Sequence, residues 1–145
     1  RAQASLSGKD GIGAIVHVIG PVDSLRQTPG DRWAASPIDR VEVMLRENKI
    51  PIGIVTDGRW WGLVCARQGA MAASGIVDAL TWTEEARTRD AFFALIGRQH
   101  LIGGDPAERL PNLFQESVEA AEEITEALQR AIDKRSRSVA RRAAP

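Results

Sequence analysis

The sequence has few of the residues that build disulfides, metal sites and membrane spans. Its single cysteine, Cys65, excludes an internal disulfide and any multi-cysteine metal site. It has only two histidines, His17 and His100, so a structural zinc site is not expected. No apolar run reaches the roughly 18 residues of a membrane span, and residues 1–12 are too polar for a signal peptide. These absences predict a soluble cytoplasmic domain with no membrane partner and no metal site.

The sequence also has no excess of positive or negative charge. The 19 Lys and Arg residues balance the 19 Asp and Glu residues, so any contact with nucleic acid must come from a local patch. A length of 145 residues with 43% hydrophobic residues suits one globular domain, or one domain with an extension. Because the chain opens on Arg1 rather than Met, we expect it to begin inside a longer reading frame or after processing.

The first third of the chain predicts a loop, a strand and a helix. Residues 1–11 are small and polar, which favours a flexible lead-in. The β-branched run 12–19 is bounded by glycines and predicts a buried strand. Ser36 before Pro37 is typical of an N-cap followed by proline at the first helical position, and apolar residues recur at helical spacing over 37–48.

The middle of the chain predicts a hairpin. The apolar runs 50–56 and 59–66 are separated by Asp57-Gly58, a pair that tolerates the positive φ of a tight turn. Residues 74–80 are expected to add the next strand.

Two further helices are predicted. One starts at Thr83 and ends near Gly97, with Phe92, Phe93 and Ile96 facing inward. The other runs from Pro111 to about Arg135, with an acidic first half and a basic second half that match the helix dipole. The fold class is therefore α+β: a small mixed or antiparallel sheet flanked by helices over residues 12–104, then a long helix and a frayed basic tail over 105–145 that link to a downstream domain.

The segment IPIGIVTDGRWWGLV (50–64) resembles the end of the restriction-endonuclease-like domain of restriction-modification proteins, where a "TDG" turn joins two strands. Further blocks extend this resemblance to the N-terminal region of large adenine-specific DNA methyltransferases of phage-defence systems, including the DISARM type. These blocks are DRWAASPIDR (31–40), DALTW (78–82), TRDAFFALIGRQHLIG (88–103) and LPNLFQES (110–117).

Two motifs of such methyltransferases are missing. There is no glycine-rich strand-to-helix turn for S-adenosylmethionine, and Asp105-Pro106-Ala107-Glu108 lacks the second proline and the aromatic residue of the adenine-binding motif. The resemblance therefore implies a non-catalytic N-terminal domain that supports DNA engagement or assembly, with no cofactor of its own and with S-adenosylmethionine bound further downstream. The implied partners are DNA, bound weakly and non-specifically, and a methyltransferase domain or other defence proteins. The alternatives are a pure protein-interaction scaffold and a Mg²⁺-dependent nuclease.

A restriction-type nuclease needs an acidic residue and a Glu-x-Lys motif on adjacent strands, because this arrangement holds Mg²⁺ and positions the attacking water. Glu47-Asn48-Lys49 matches the motif but falls at a predicted helix end, where the match is expected to be accidental. On the first predicted strand, His17 and Ile19 occupy the places of the glutamate and lysine, which indicates an inactive nuclease.

The candidates for DNA contact combine basic and aromatic residues. Trp60 and Trp61 are consecutive, so on a strand they point to opposite faces, one towards the core and the other available for stacking. Packing of the hairpin and solvated charge at the helix end are the alternative interpretations. Cys65 is expected to pack as a small hydrophobic residue. The full candidate set is Arg59, Trp60, Trp61, Arg67, Arg130, Lys134, Arg135 and Arg137.

Overall fold

The computed structural model describes residues 4–8, 11–30 and 33–142, with side chains described to residue 130. It confirms the α+β fold class. The strands are β1 (Ala4–Gly8), β2 (Gly11–Val18), β3 (Ile52–Thr56), β4 (Trp60–Cys65) and β5 (Ala73–Asp78). The α-helices are α1 (Pro37–Asn48), α2 (Ala86–Leu95), α3 (Arg98–Leu101) and α4 (Leu110–Arg142), with 3-10 turns at Ala79–Thr83 and Pro106–Glu108.

The five strands form one mixed sheet in the order β1-β2-β3-β4-β5. Strands β2 and β3 are parallel, and the other neighbouring pairs are antiparallel. A parallel pair cannot be joined by a tight turn, and α1 lies in the connection between β2 and β3. The Asp57-Gly58 hairpin joins β3 to β4 as predicted.

Strand β1 corrects the prediction of a flexible lead-in over residues 1–11. Its sequence ASLSG has one large apolar residue, Leu6, so it carries almost no strand signal of its own. It is ordered by pairing with β2 from Ala4↔Val16 to Gly8↔Gly11, and Leu6 packs against the core. Edge strands of this kind owe their conformation to the neighbouring strand rather than to their own composition.

Helix α1 has Ser36 as its N-cap, as predicted, and the structure adds a capping box between Ser36 and Asp39. The hydroxyl of Ser36 accepts a hydrogen bond from the Asp39 backbone N–H at 3.2 Å, and the Asp39 carboxylate accepts one from the Ser36 N–H at 3.2 Å. Pro37 occupies the first turn, where a missing N–H costs nothing. The helix ends at Lys49, which adopts the left-handed conformation with φ 56°.

The sheet is covered on both faces by two separate groups of apolar side chains. The first core cluster includes α1 residues such as Val41 and Leu45, and the second includes Phe92, Leu101 and Leu110 from the later helices. Consecutive strand residues divide between them, because side chains alternate along a strand: Val55 joins the first and Ile54 the second. Because both faces of β3 are buried, its sequence is a continuous apolar run and not an alternation of apolar and polar residues.

The region after β5 differs from the prediction in two respects. The helix predicted to start at Thr83 is a 3-10 turn over Ala79–Thr83 followed by α2, which begins at Ala86. Phe92 is buried at 3% exposure as expected, but the prediction that Phe93 faces inward is wrong, because it is 52% exposed. The Asp78 side chain caps the 3-10 turn by accepting a hydrogen bond from the Leu80 N–H. Helical structure therefore starts before Thr83, as a 3-10 turn and not as an α-helix.

The chain divides into two compact units, residues 1–114 and 115–145. The first unit holds the sheet, both core clusters and the first residues of α4. In the second unit, every side chain from residue 121 to residue 130 is exposed, including Ile124 and Leu128. Among the described residues, no helix combines the length and apolar character needed to cross a membrane.

Candidate functional site

The turn between β3 and β4 is built around the Asp57 side chain. One carboxylate oxygen accepts hydrogen bonds from the backbone N–H groups of Arg59 at 2.9 Å and Trp60 at 2.7 Å, and the other accepts from Val22 at 3.1 Å. Burial raises the pKa of Asp57, but the hydrogen bonds to the ionised carboxylate together outweigh it, so the pKa is lowered. The turn therefore holds the loop that follows β2 as well as the hairpin itself.

Arg59 is engaged within the molecule. Its guanidinium forms a bidentate ion pair with Asp78, with Nη2–Oδ2 at 2.8 Å and Nε–Oδ1 at 3.1 Å, and it stacks over the Trp60 ring at 4.6 Å from the centroid. The hydrogen bond from Arg59 lowers the pKa of Asp78, and the same bond raises the pKa of Arg59. Asp78 balances the charge of this arginine, so the attraction of Arg59 for a DNA phosphate is reduced.

Trp60 and Trp61 lie on opposite faces of the sheet, as predicted for consecutive strand residues. Both are half-buried, Trp60 against the first core cluster and Trp61 against the second. The Trp61 ring packs near Trp82 and Phe92, with centroid separations of 6.3 and 5.8 Å. The two tryptophans thus contribute packing on both faces, and the expectation that one of them is free to stack on a base gains no support from their positions.

The Glu47-Asn48-Lys49 motif does not lie on a strand. Glu47 and Lys49 are exposed at the C-terminal end of α1. On the described strands the only acidic residue is Asp78, at the end of β5. His17 is half-buried on β2, and Ile19 follows that strand. Within the described part of the chain, no group of three or more His, Cys, Asp and Glu side chains is placed to hold a metal ion.

Two of the remaining basic candidates, Arg67 and Arg130, have described side chains. Arg67 is exposed just after β4 and donates a hydrogen bond to the side-chain oxygen of Asn112. Arg130 on α4 donates to the backbone carbonyl of Glu126 at 3.2 Å and lies 3.7 Å from its carboxylate. The backbone of α4 continues to Arg142, but the side chains of Lys134, Arg135 and Arg137 lie outside the described ones.

Cys65 packs as a small hydrophobic residue, as predicted. It is 5% exposed, and its thiol donates to the Pro51 carbonyl at 3.2 Å. Burial raises the pKa of Cys65 to about 11, so the reactive thiolate is disfavoured near neutral pH.

The structure brings together three residues that the sequence analysis did not single out: Arg98, His100 and Arg109. They line a cleft between the end of β1 and the segment that joins α2 to α4. No sequence motif marks them, because their proximity depends on the packing of this segment against the β1–β2 hairpin.

Comparison of the chain with protein-family models, with curated proteins and with solved structures gave no match.

Proposed function

We propose that this chain is a non-catalytic N-terminal domain of a DNA restriction-modification protein of the adenine-specific methyltransferase type. The proposal rests on the resemblance of residues 50–64 and the later blocks to such proteins, together with the build of the Asp57-Gly58 turn. In this turn the aspartate of the "TDG" segment has a structural role: it closes the hairpin and holds the loop after β2. We place the protein in the cytoplasm, where its single cysteine would remain reduced.

The residue types on the strands support the proposal that this domain is not catalytic. A restriction-type nuclease needs two acidic groups and a lysine on neighbouring strands to hold Mg²⁺ and activate water. The described strands carry one carboxylate, Asp78, and it is already paired with Arg59. In this proposal S-adenosylmethionine binds in a downstream domain, and these residues hold neither the cofactor nor the adenine.

Assembly is favoured over DNA engagement as the role of the hairpin. Arg59 is paired with Asp78 and stacked on Trp60, and Trp60 and Trp61 are packed into the two core clusters. A guanidinium whose charge is already balanced by a carboxylate contributes less affinity for DNA than an unpaired one. In this proposal the hairpin packs against the methyltransferase domain or a partner protein. The closest alternative is a scaffold without any DNA contact.

The chemical part of the proposal is tested with the purified chain. Duplex DNA incubated with it, Mg²⁺ and S-adenosylmethionine should be neither cut nor methylated. Metal-dependent cleavage that disappears in Glu47→Ala but persists in Glu42→Ala would replace the proposal with the nuclease alternative, because both glutamates lie on α1 and only Glu47 belongs to the Glu-x-Lys motif.

The assignment to a methyltransferase is tested by the reading frame that encodes this chain. It should contain, downstream, a glycine-rich S-adenosylmethionine turn and an Asn/Asp-Pro-Pro-Tyr/Phe motif. A complete frame without both motifs contradicts the proposal. Where they are present, disrupting the hairpin in the full-length protein should lower DNA methylation while S-adenosylmethionine binding is retained, since the hairpin is proposed to act on assembly and not on the cofactor.

A further inference from the structure

A cleft of about 810 Å³ opens beside the β1–β2 hairpin. Gly8 at the end of β1 forms one side, and the segment from Phe93 to Arg109 forms the other. A smaller cavity of about 240 Å³ adjoins it, and the two share Gly8, Ile102 and Arg109 as lining residues. The larger volume lies in the range of about 300–1,000 Å³ that small-molecule sites occupy.

The lining of both cavities is one-sided in charge. It includes Arg67, Arg98 and Arg109, and no carboxylate among the described residues. The nearby acidic residues Asp105 and Glu108 line neither cavity. Among the described lining residues three arginines have no acidic counterpart, which favours a local positive potential in a chain whose formal net charge is zero.

Arg109 is held in a fixed position with donors to spare. Its Nε donates to the Gly103 carbonyl at 2.9 Å and its Nη2 to the Gly104 carbonyl at 3.4 Å. A guanidinium carries five N–H donors, so three remain for a ligand. Fixing the side chain in advance reduces the entropy that binding would otherwise cost.

Arg98 is exposed, and its guanidinium has no hydrogen-bond or ion-pair partner among the described residues. It differs in this from Arg59, Arg109 and Arg46, each of which is engaged by protein groups. His100 lies beside it, with Nδ1 at 2.9 Å from the Glu108 carbonyl oxygen. A carbonyl only accepts, so Nδ1 is the donor, which fixes the orientation of the ring in the cleft wall.

An aromatic face borders the same cleft. Phe93 lines it and is 52% exposed, while its ring is supported by Trp82 at 5.4 Å and Phe92 at 6.0 Å between centroids. A supported and exposed aromatic ring next to free arginine donors is the combination that receives a base together with its phosphate.

We propose that this cleft binds a nucleotide unit, with the phosphate at Arg98 and Arg109 and the base against Phe93. The nucleotide is either free or part of a single nucleic-acid strand, and both share this chemistry. Arginine suits the phosphate because its planar donors match two phosphate oxygens at once. This site uses no residue of the β3–β4 hairpin, so it can be tested separately from the role proposed for that hairpin.

The test is to titrate the whole chain with a ligand and to monitor the nuclear magnetic resonance signals of its backbone amides and arginine Nε–H groups. At about 0.01 M ionic strength, where the Debye length is about 30 Å, thymidine monophosphate should shift the signals of residues 97–104 and of Arg98. Thymidine without phosphate should not. Arg98→Gln should weaken binding about tenfold, and the exposed Arg87→Gln on α2, which lines neither cavity, should leave it within about twofold.

The Phe93→Ala variant distinguishes the contribution of the base to binding from that of the phosphate. It should weaken binding of thymidine monophosphate but not of inorganic phosphate, since only the former has a ring to stack. Tighter binding of an oligothymidylate than of the mononucleotide identifies a nucleic-acid strand as the source, and equal binding identifies a free nucleotide. The proposal is overturned if thymidine and its monophosphate shift the same signals equally, or if Arg98→Gln and Arg87→Gln have the same effect.

Discussion

At the scale of single residues, Asp57 and Gly58 have different tasks in the same turn. Asp57 supplies the acceptor oxygen, Oδ1, that closes the hairpin, and Gly58 supplies the backbone conformation, with φ +96°. A Cβ at Gly58 would meet no atom within 4 Å, so space is not what requires glycine there. The requirement is conformational, because side-chain-bearing residues rarely adopt this φ.

Gly58→Val should therefore destabilise the protein by roughly 1–3 kcal/mol, since it forces a β-branched residue into positive φ. Urea unfolding measures the change. Gly20→Val is the matched control: Gly20 is also exposed, has no positive φ and has nothing within 4 Å of a built Cβ. Equal stability of the two variants would contradict the strained-turn explanation.

Cys65 leads to a pH prediction. Its folded pKa of about 11 lies above the ordinary value of 9.0, because burial disfavours the thiolate. A raised pKa means that the folded state holds the proton more tightly, so this contribution to stability is complete below pH 9.0 and is lost as pH rises to about 11.

The free energy of unfolding of the natural chain should fall more steeply between pH 9.0 and about 11 than that of Cys65→Ala. Cys65→Ala changes no other ionisable group, so the comparison isolates the thiol. Parallel pH curves for the two proteins would show that the thiol does not titrate differently on unfolding.

At the scale of elements, α1 can lie close to the sheet because two strand positions beneath it are glycines. A Cβ on Gly53 would come within 2.7 Å of Val41 Cγ1, and one on Gly62 within 2.8 Å of Ile38 Cδ1. Both neighbours belong to α1, and both positions face the first core cluster. The close packing of this helix therefore depends on residues of β3 and β4 that have no side chain.

Gly53→Ala should cost about 1–3 kcal/mol, because the added methyl group overpacks the contact between α1 and β3. Gly75→Ala on β5 is the matched control, since a Cβ there meets nothing within 4 Å, and it should be neutral or stabilising by up to about 1 kcal/mol. Thermal and urea unfolding of both variants measure the difference. A neutral Gly53→Ala would mean that α1 moves away at little cost.

At the scale of the whole molecule, charge limits what the chain can do with DNA. The net charge is zero, and the first half of α4 carries Glu116, Glu119, Glu122, Glu123 and Glu126. These glutamates repel a phosphate backbone, whereas the second half of the helix is basic. We therefore expect weak, non-specific duplex binding at most, centred on the basic half.

Replacing Arg130, Lys134, Arg135 and Arg137 together by Gln should weaken this binding evenly across DNA sequences. The slope of log affinity against log salt should flatten by up to about four units, because each phosphate contact releases condensed counterion with a slope of about 0.9. Fluorescence anisotropy over a salt series measures both quantities.

The acidic half of the same helix provides the control. Replacing Glu119, Glu122, Glu123 and Glu126 by Gln should strengthen binding, because it removes repulsion without adding a phosphate contact. A chain with no DNA affinity at low salt would favour the scaffold role. Sequence-specific binding at physiological salt would contradict both roles, since no base-reading motif is present.

Local signals account for the elements that were predicted correctly. Ser36 and Pro37 indicate the start of α1, and Asp57-Gly58 indicates the hairpin, because capping and turn formation depend on a few consecutive residues. The start of α2 was predicted too early, since capping of the preceding 3-10 turn by Asp78 depends on where β5 ends. The function and the DNA-binding residues stay predictions.

What the sequence determined by itself is the α+β class, helix α1, the β3–β4 hairpin and the packing role of Cys65, all of which follow from short-range periodicity and turn chemistry. Tertiary structure alone decided three other features: β1 as a strand, the pairing of Arg59 with Asp78 across 19 residues, and the basic cleft of Arg98 and Arg109. Each of them depends on the pairing or packing of one segment with another and not on its own composition. The pattern of side chains along an element indicates which of its faces is apolar. It does not indicate which other segment will cover that face or which residue will pair with a charged side chain.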